Sequence, residues 1–276
     1  DRNALMNGNG LNRSWCSNLR DILISHGFDD SIWMGEKCAE FSEVLWNEIV
    51  DGYLKISEEK EWRKSLDSFP KLRTFSKLKH VYGVEDYLLV DSSVRSKVLC
   101  SGLRNGSCKL RIEKGRYKRE TVEDRKCICC SLQKVEDEKH FLTECSDYSV
   151  EFEGYKRQVL EQLQKVDSEI ISDRFDRDEW TRIILCDHSV LSSVKGYSGR
   201  GESKQVSTNI HELSLRYIEC IDAKRDAKIE MLDQVEEESK TLVCKYETLG
   251  CKYDNEQCKI ITDMFSRYGL KWSKPV

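Results

Sequence analysis

Apolar residues recur at intervals of three and four along much of the chain, the spacing of amphipathic helices. The first stripe covers positions 11–26 and stops at Gly27, a residue type that commonly follows a last helical turn. Further stripes predict helices from about residue 36, around 58–66 and over 85–99, with a break at 69–75, where Pro70 disfavours helical backbone. The predicted inward positions are Leu11, Trp15, Leu19, Ile22, Leu23 and His26, then Phe41, Leu45 and Ile49, then Trp62 and Leu66, then Leu88, Val94 and Val98.

The second half of the chain continues this pattern. Two helices of moderate length are predicted after residue 149, and a long helix begins near Ser203. Its stripe ends at Ile221, and the mostly charged residues 222–240 predict a solvated helix or a weak coiled-coil arm. A last amphipathic helix ends near Gly269. The inward positions are Tyr155, Val159, Leu163 and Val166, then Trp180, Ile183 and Ile184, then Val206, Ile210, Leu213, Tyr217 and Ile221, and finally Ile260, Ile261, Met264 and Phe265.

Composition supports a mostly α, irregular multi-helix fold with a long C-terminal helix. The 276 residues include only two prolines, and helix-forming residues are common. The stretches "SGLRNGS" (101–107) and "KGYSGRGES" (195–203) predict a loop and a flexible linker. We therefore predict a helical region at 1–108, a basic arm with a cysteine-rich module at 109–148, a helical region at 149–194, a linker at 195–203, and the long charged helix with the C-terminal helix at 204–276.

Charge and cysteine content narrow the class of protein. The apolar runs are too short to cross a bilayer, so no membrane partner is expected. The 13 cysteines are an odd number in a chain large enough to form a core, and no export signal is recognisable. We therefore expect a reducing intracellular compartment, nucleus or cytoplasm.

Positive charge is concentrated in one short segment although the whole chain has a net charge of −4. The stretch "KLRIEKGRYKR" (109–119) predicts a short strand or an extended arm. Its cations would face nucleic-acid phosphates, and its tyrosine could stack on an unpaired base; a solvated surface strand is the alternative. The candidate nucleic-acid-binding residues are Lys109, Arg111, Lys114, Arg116, Tyr117, Lys118 and Arg119.

The stretch "CICCSLQKVEDEKHFLTEC" (127–145) follows this basic arm directly. Zinc in proteins takes four nitrogen or sulfur ligands in a tetrahedron, commonly with a C-x2-C pair on one turn. We predict one structural zinc ion on Cys127, Cys130, His140 and Cys145, a small CCHC knuckle, with His140 and Cys145 at the start of a helix. Cys129 is expected to point away. One alternative is a set of reduced buried cysteines. Another is a catalytic thiol, against which counts the absence of a base nearby in sequence.

These residues resemble the zinc-binding stretch that follows the reverse transcriptase in animal non-LTR (LINE-type) retrotransposons. In that family a basic "LRIETGRY"-like phrase precedes C-x2-C, and an "EDE-HFL" phrase leads into H-x4-C and an aromatic residue. Here the phrases are 110–117, Cys127 and Cys130, 136–142, Cys145 and Tyr148. Weaker similarity at 13–33 and 210–226 extends the resemblance over about 11–226.

The resemblance implies a non-catalytic, nucleic-acid-binding C-terminal part of a retrotransposon reverse transcriptase, with RNA or DNA as its partner. The family's polymerase carries an [FY]-x-D-D loop, and some relatives carry a P-D-x-D-like endonuclease signature. Neither occurs in this sequence, so no enzymatic activity is expected of this chain. In a full-length relative, an RNA-directed DNA polymerase would precede this segment.

A second hypothesis makes the protein a zinc-stapled helical scaffold, possibly a domesticated element. In that case, a protein partner or self-association would use residues 203–240. Cys244, Cys251 and Cys258 recur every seven residues and leave open a second metal site. His26, His80, His188 and His211 are predicted to be surface or packing histidines.

Overall fold

A computed structural model describes residues 21–27, 43–198 and 200–248, and the mostly α fold class is confirmed in this part of the chain. The chain divides into two compact units, Asp1–Leu72 and Arg73–Val276. The predicted C-terminal helix, Cys251 and Cys258 lie outside the described residues, as do most of 11–42. Cys244 lies in a described helix, but its side chain is not described.

The first unit contains one long helix, α1 (Glu43–Ser68), followed by a 3-10 turn at Pro70–Leu72. The helix ends just before Pro70, as predicted. Two separate helices had been expected, from about residue 36 and around 58–66. A single helix runs through instead, because an exposed glycine such as Gly52 costs a helix only about 1 kcal/mol. Upstream, residues 21–25 are helical and Gly27 adopts a left-handed φ of 89°.

The second unit is built from six α-helices joined by short 3-10 turns, as far as the chain is described. They are α2 (Arg73–Leu78), α3 (Val94–Asn105), α4 (Arg111–Tyr117), α5 (Ser149–Leu163), α6 (Arg177–Ile184) and α7 (Glu202–Thr248). The 3-10 turns are Asp86–Leu88, Val122–Asp124, Ser146–Tyr148, Ser172–Arg174 and His188–Ser193, and a π-helix spans His140–Glu144.

The core of this unit lies where α5 and α6 pack on the first half of α7. Aromatic rings dominate the contact: Tyr155 stacks on Tyr217 with centroids 4.9 Å apart, and Phe152 meets Trp180 edge to face. The predicted inward positions of α5, α6 and α7 are buried except Leu213, which is partly buried; Val166 is also partly buried but lies beyond the end of α5. The capping box of Asp176 and Glu179 starts α6.

The helix predicted at 85–99 is wrong in both position and face. The chain instead forms a 3-10 turn and then α3, which begins after the Ser93 cap and extends through the predicted loop to Asn105. The predicted inward residues Leu88, Val94 and Val98 are exposed. The buried face of α3 contains polar residues with distant partners: Arg104 pairs with Glu85 and donates to the carbonyl of Leu185.

Two histidines form a stacked pair where the 188–193 turn meets α7. The rings of His188 and His211 lie 3.7 Å apart, centroid to centroid, with planes within 7°. Burial lowers the pKa of both residues, that of His211 to about 4. These are packing histidines, as predicted, and both are neutral at pH 7.

This pair predicts an acid-sensitive fold. Unfolded histidine binds a proton near pH 6.5, whereas the folded pair resists protonation, so the unfolded state gains protons first. The free energy of unfolding should therefore fall as pH drops from about 6.5 towards 4, by up to about 1.4 kcal/mol per pH unit for each histidine. Urea unfolding across this pH range measures the slope.

The variant His211→Gln should reduce that slope by about half of the pair's contribution, because one titrating group is gone. His26→Gln, in the other unit, serves as the matched control, because it removes a histidine and leaves the stacked pair intact. An unchanged slope in His211→Gln would show that other groups cause the acid sensitivity.

Candidate metal centre

A short hairpin brings the first two cysteines into position. An antiparallel bridge joins Lys126 to Val135, and the Cys127 N–H donates to the Lys134 carbonyl at 2.8 Å. The turn between them includes Gln133 in left-handed backbone. This pairing closes the knuckle that carries Cys127 and Cys130.

A π-helix positions the other two ligands. The Asp137 carboxylate accepts from the His140 N–H at 2.8 Å and starts the turn. The Cys145 N–H then donates to the His140 carbonyl at 2.7 Å, a bond across five residues. The sequence predicted that His140 and Cys145 would meet at one end of a helical turn, and this wide turn brings them together.

The four predicted ligand atoms converge within 4.8 Å of one another, and all four residues are buried. The Sγ atoms of Cys127 and Cys145 are 4.0 Å apart, and Cys130 Sγ lies 3.4 Å from His140 Nε2. A tetrahedral zinc ion with ordinary bond lengths needs ligand separations of about 3.5–3.8 Å. The cluster can therefore hold a metal ion with small adjustments. The other ring nitrogen of His140, Nδ1, is buried without a hydrogen-bond partner among the described residues.

Electrostatics within the cluster favour a thiolate. Hydrogen bonds from the thiols of Cys129 and then Cys145 hold the pKa of Cys127 well below its usual range, against the opposing effect of burial. Burial raises the pKa of Cys130, and the hydrogen bond with Cys127 raises the pKa of Cys145, so the cluster favours a single thiolate at Cys127. Because cysteine binds metals as the thiolate, the other two cysteines would lose their protons on binding a metal ion.

Cys129 does not point away from the cluster, contrary to the prediction. Its Sγ lies within 4.8 Å of Cys127 Sγ and of the Glu136 carboxylate, which makes a second, three-member group. That group is the poorer metal site, since the Glu136 carboxylate is already bound by Arg225. Among the described residues these two groups are the candidates for a metal site.

The Glu136 carboxylate ties the metal centre to two helices. It accepts from Arg225 Nε and Nη2 at 2.8 and 2.9 Å, and both side chains are 1% exposed. It also accepts the Arg111 N–H at 2.8 Å, while the Glu136 carbonyl accepts the Ile112 N–H at 3.1 Å. These bonds satisfy N–H groups in the first turn of α4.

Glu138, in the same acidic stretch as Glu136, also forms an ion pair within the fold. Glu138 pairs with Arg73 at 2.8 Å, and Arg73 also pairs with the buried Glu113 of α4. Burial raises the pKa of Glu138, and Arg73 opposes that rise. Glu136 and Glu138 therefore hold neighbouring elements together, whereas Asp137 caps the local turn at His140.

The basic segment is a helix, which corrects the prediction of a strand or extended arm. Only seven residues long, α4 shows no recognisable apolar stripe, and its N-terminus depends on Glu136 from a later part of the chain. Gly115 is required where α4 crosses Arg125, because a Cβ there would lie 2.5 Å from Arg125 Cγ. Arg125 in turn donates to the carbonyls of Ile112 and Glu120.

The seven predicted nucleic-acid-binding residues fall into two sets. Lys109 pairs with Asp226, Arg111 with Glu120, and Arg116 with Glu113, so their charges are neutralised within the fold. Lys114, Lys118 and Arg119 are exposed and have no ion-pair partner among the described residues. Tyr117 is 74% exposed, and the Arg116 guanidinium lies over its ring at 5.2 Å. We call Lys114, Tyr117, Lys118 and Arg119 the basic surface.

Sequence reasoning did not identify Arg225, whose contact with Glu136 helps to position the candidate site. Arg225 lies in the charged stretch predicted to be a solvated arm, yet it is buried against Glu136. Arg225 lies four residues after the inward Ile221 and therefore on the same face of the helix, and this spacing could have indicated that Arg225 is buried.

Comparisons with protein-family models, with curated proteins and with solved structures return no match. Among the described residues, no helix has the length and apolar character needed to span a membrane.

Loss of Arg225 should destabilise the protein strongly. Arg225→Met leaves the Glu136 carboxylate buried without its cation, which typically costs about 3–5 kcal/mol. The double variant Glu136→Gln/Arg225→Met should recover about 1–3 kcal/mol of that loss through the coupling of the pair. Lys109→Met breaks the exposed pair with Asp226 and, as the control, should cost less than about 1 kcal/mol. Additive effects in chemical unfolding would contradict a coupled pair.

Metal binding should depend on Cys130 and not on Cys129. Cys130→Ser removes a member of the four-ligand group, whereas Cys129→Ser leaves that group complete. After dialysis, mass spectrometry of the purified chain should find about one metal ion per chain in the wild type and in Cys129→Ser. Much less is expected in Cys130→Ser. Retention by Cys130→Ser with loss from Cys129→Ser would favour the three-member group instead.

Proposed function

We propose that the metal is a single structural zinc ion on Cys127, Cys130, His140 and Cys145. Two observations support zinc: the ligands are three thiols and an imidazole, and the spacing of their atoms is close to that of a tetrahedral site. A closed, buried four-ligand site leaves no position for a substrate, so its role is to stabilise the fold. Because its ligands must be reduced, a reducing intracellular compartment suits the protein.

We further propose that the chain binds nucleic acid through the basic surface, as a non-catalytic C-terminal part of a retrotransposon reverse transcriptase. The supporting observation is a group of unpaired cations around an exposed aromatic ring. Lys114 and Tyr117 stand three residues apart on one side of α4, and Lys118 directly follows the last residue of the helix. Cations on a rigid helix bind phosphates, and an exposed ring can stack on an unpaired base, so single-stranded RNA or DNA is the preferred ligand.

The metal centre would act indirectly in this function. Glu136 lies between the ligands Cys130 and His140 and caps the first turn of α4. Closing the zinc site would therefore fix the orientation of α4 and of the basic surface. The stretch 110–148, which resembles the zinc-binding stretch of LINE-type elements, includes both parts, in keeping with a role for them as one unit.

A zinc-stapled scaffold is the second candidate, and one observation favours it. Three of the six cations in the basic segment are used in ion pairs within the fold, which reduces the charge available to nucleic acid. The 47-residue α7 would then supply the surface for a protein partner or a second copy.

Neutralising the basic surface tests the first proposal. The triple variant Lys114→Gln/Lys118→Gln/Arg119→Asn removes three unpaired charges, and asparagine tolerates the left-handed backbone at position 119. With single-stranded RNA, the slope of log K against log salt should become shallower by about 2. Fluorescence anisotropy across a salt series gives this slope.

The matched control is Lys195→Gln/Arg200→Gln/Lys204→Gln, which removes the same charge from exposed positions. These residues lie near the start of α7, about 30 Å along the helix from Asp226, the partner of Lys109. The control should bind like the wild type. Equal weakening in both variants would indicate attraction by overall charge. No binding by the wild type, together with self-association that requires residues 203–240, would support the scaffold.

Tyr117→Ala tests the preference for single strands. Stacking on an aromatic side chain contributes about 1–3 kcal/mol per base, so affinity for single-stranded RNA should fall at least about fivefold. Binding to a duplex of the same sequence should change little, because its bases are already stacked. A similar loss for both ligands would show that Tyr117 acts through the fold or through its contact with Arg116.

A further inference from the structure

A cleft of about 470 Å³ lies in the second unit, where the segment 78–86 meets the turn at 186–189 and α7. Its walls are the segment 78–86, the turn at 186–189, Tyr197, and Ser207 and His211 of α7. Its volume falls within the range of small-molecule sites. None of the proposed zinc ligands and no residue of the basic surface lines it.

Two histidines that line the cleft each have one ring nitrogen without a hydrogen-bond partner among the described residues. His188 Nδ1 lies 3.0 Å from Ser207 Oγ and 3.3 Å from the Tyr197 hydroxyl. His188 Nε2 and His211 Nδ1 are buried and have no partner among the described residues. A buried polar atom without a partner costs about 1–3 kcal/mol, and His211 is only 4% exposed. A ligand that bonds these nitrogens would remove that cost.

The backbone beside the histidines is strained. Cys186 has a φ of 61°, a conformation that disfavours a side chain and is most often retained at functional positions. The strained residue directs Asp187 and His188 into the cleft wall. Asp187 is then fixed, since it accepts from Arg182 Nε at 2.8 Å and from the Ser189 N–H at 3.2 Å.

Three carboxylates (Glu85, Asp86 and Asp187) and one lysine line the cleft, which limits the ligand. Lys79 pairs with Glu85 at 2.5 Å, Arg182 pairs with Asp187, and the two histidines are neutral at pH 7. The cleft therefore lacks the unpaired cation that would favour a phosphate or a carboxylate. Its imidazoles and carboxylates do not converge as a metal group either, among the described residues. Asp86, exposed at the rim, adds an acceptor for an amino group.

We propose that this cleft binds an uncharged planar heteroaromatic ring of the nucleobase class, held by His188, His211 and Asp86. Such a ring carries both donors and acceptors at its edge, which matches imidazole nitrogens and a carboxylate. Its faces suit a cleft lined by the rings of Tyr82, Tyr197 and His80. The ring could belong to a free nucleoside or to one unpaired nucleotide of a strand, and the proposal does not depend on the basic surface.

The experiment titrates adenosine, guanosine, cytidine and uridine separately into the full chain, followed by calorimetry and by NMR of the histidine rings. At least one nucleoside should bind with a Kd below about 5 mM and shift the signals of His188 and His211. Ribose and inorganic phosphate, which lack the ring, should not. A single-stranded oligonucleotide that shifts these signals when no free nucleoside does would identify a nucleotide within a strand as the ligand.

Three variants make the outcome decisive. Asp86→Asn, at an exposed position, should weaken binding of at least one amino-bearing nucleoside about fivefold, and His211→Gln should do the same while keeping a polar side chain. The triple variant of the basic surface should bind nucleosides like the wild type, which separates this proposal from the proposed function. Absence of binding by every nucleoside and oligonucleotide, or histidine shifts produced equally by phosphate, would overturn the proposal.

Discussion

The carboxylate of Glu136 is the contact on which the arrangement of the second unit depends. It lies within the loop of the metal centre, caps the first turn of α4 and holds Arg225 of α7, all from a position almost without solvent. A buried carboxylate is stable only when a cation and hydrogen bonds compensate it. Once Glu136 is compensated in this way, the positions of α4 and α7 relative to the loop are fixed.

The candidate metal centre and this ion pair involve different parts of the same loop. The side chains of Cys127, Cys130, His140 and Cys145 converge within residues 127–145 through contacts that are local in sequence. Glu136 and Glu138 attach that loop to the rest of the unit through Arg225 and Arg73. The loop without these ion pairs would leave α4 uncapped. Phe141 and Leu142 of the same loop are buried in the core of the unit, so apolar packing adds to both kinds of contact.

This difference in range explains how far sequence reasoning could go. The ligand set follows from spacing, because C-x2-C and the five-residue step from His140 to Cys145 are local geometry. The stripes of α5 and α6 and the first half of α7 were predicted correctly, since each helix buries a regular apolar face. The buried face of α3 was missed because it contains Arg104, whose partners come from distant segments. The pairing of Arg225 with Glu136 spans 89 residues, and no local pattern encodes it.

The same reasoning changes how the charge of the basic segment should be understood. Composition counts six cations between 109 and 119, but a cation that neutralises a buried carboxylate cannot also attract a phosphate. Arg116 neutralises Glu113, and Lys109 and Arg111 are engaged as well, which leaves half of the positive charge available. A surface with so few charges binds nucleic acid weakly through phosphates alone, since each contact releases about one counterion. If the basic surface binds nucleic acid as proposed, its affinity would depend on Tyr117, and a ligand whose bases are free to stack would gain more from it than a duplex would.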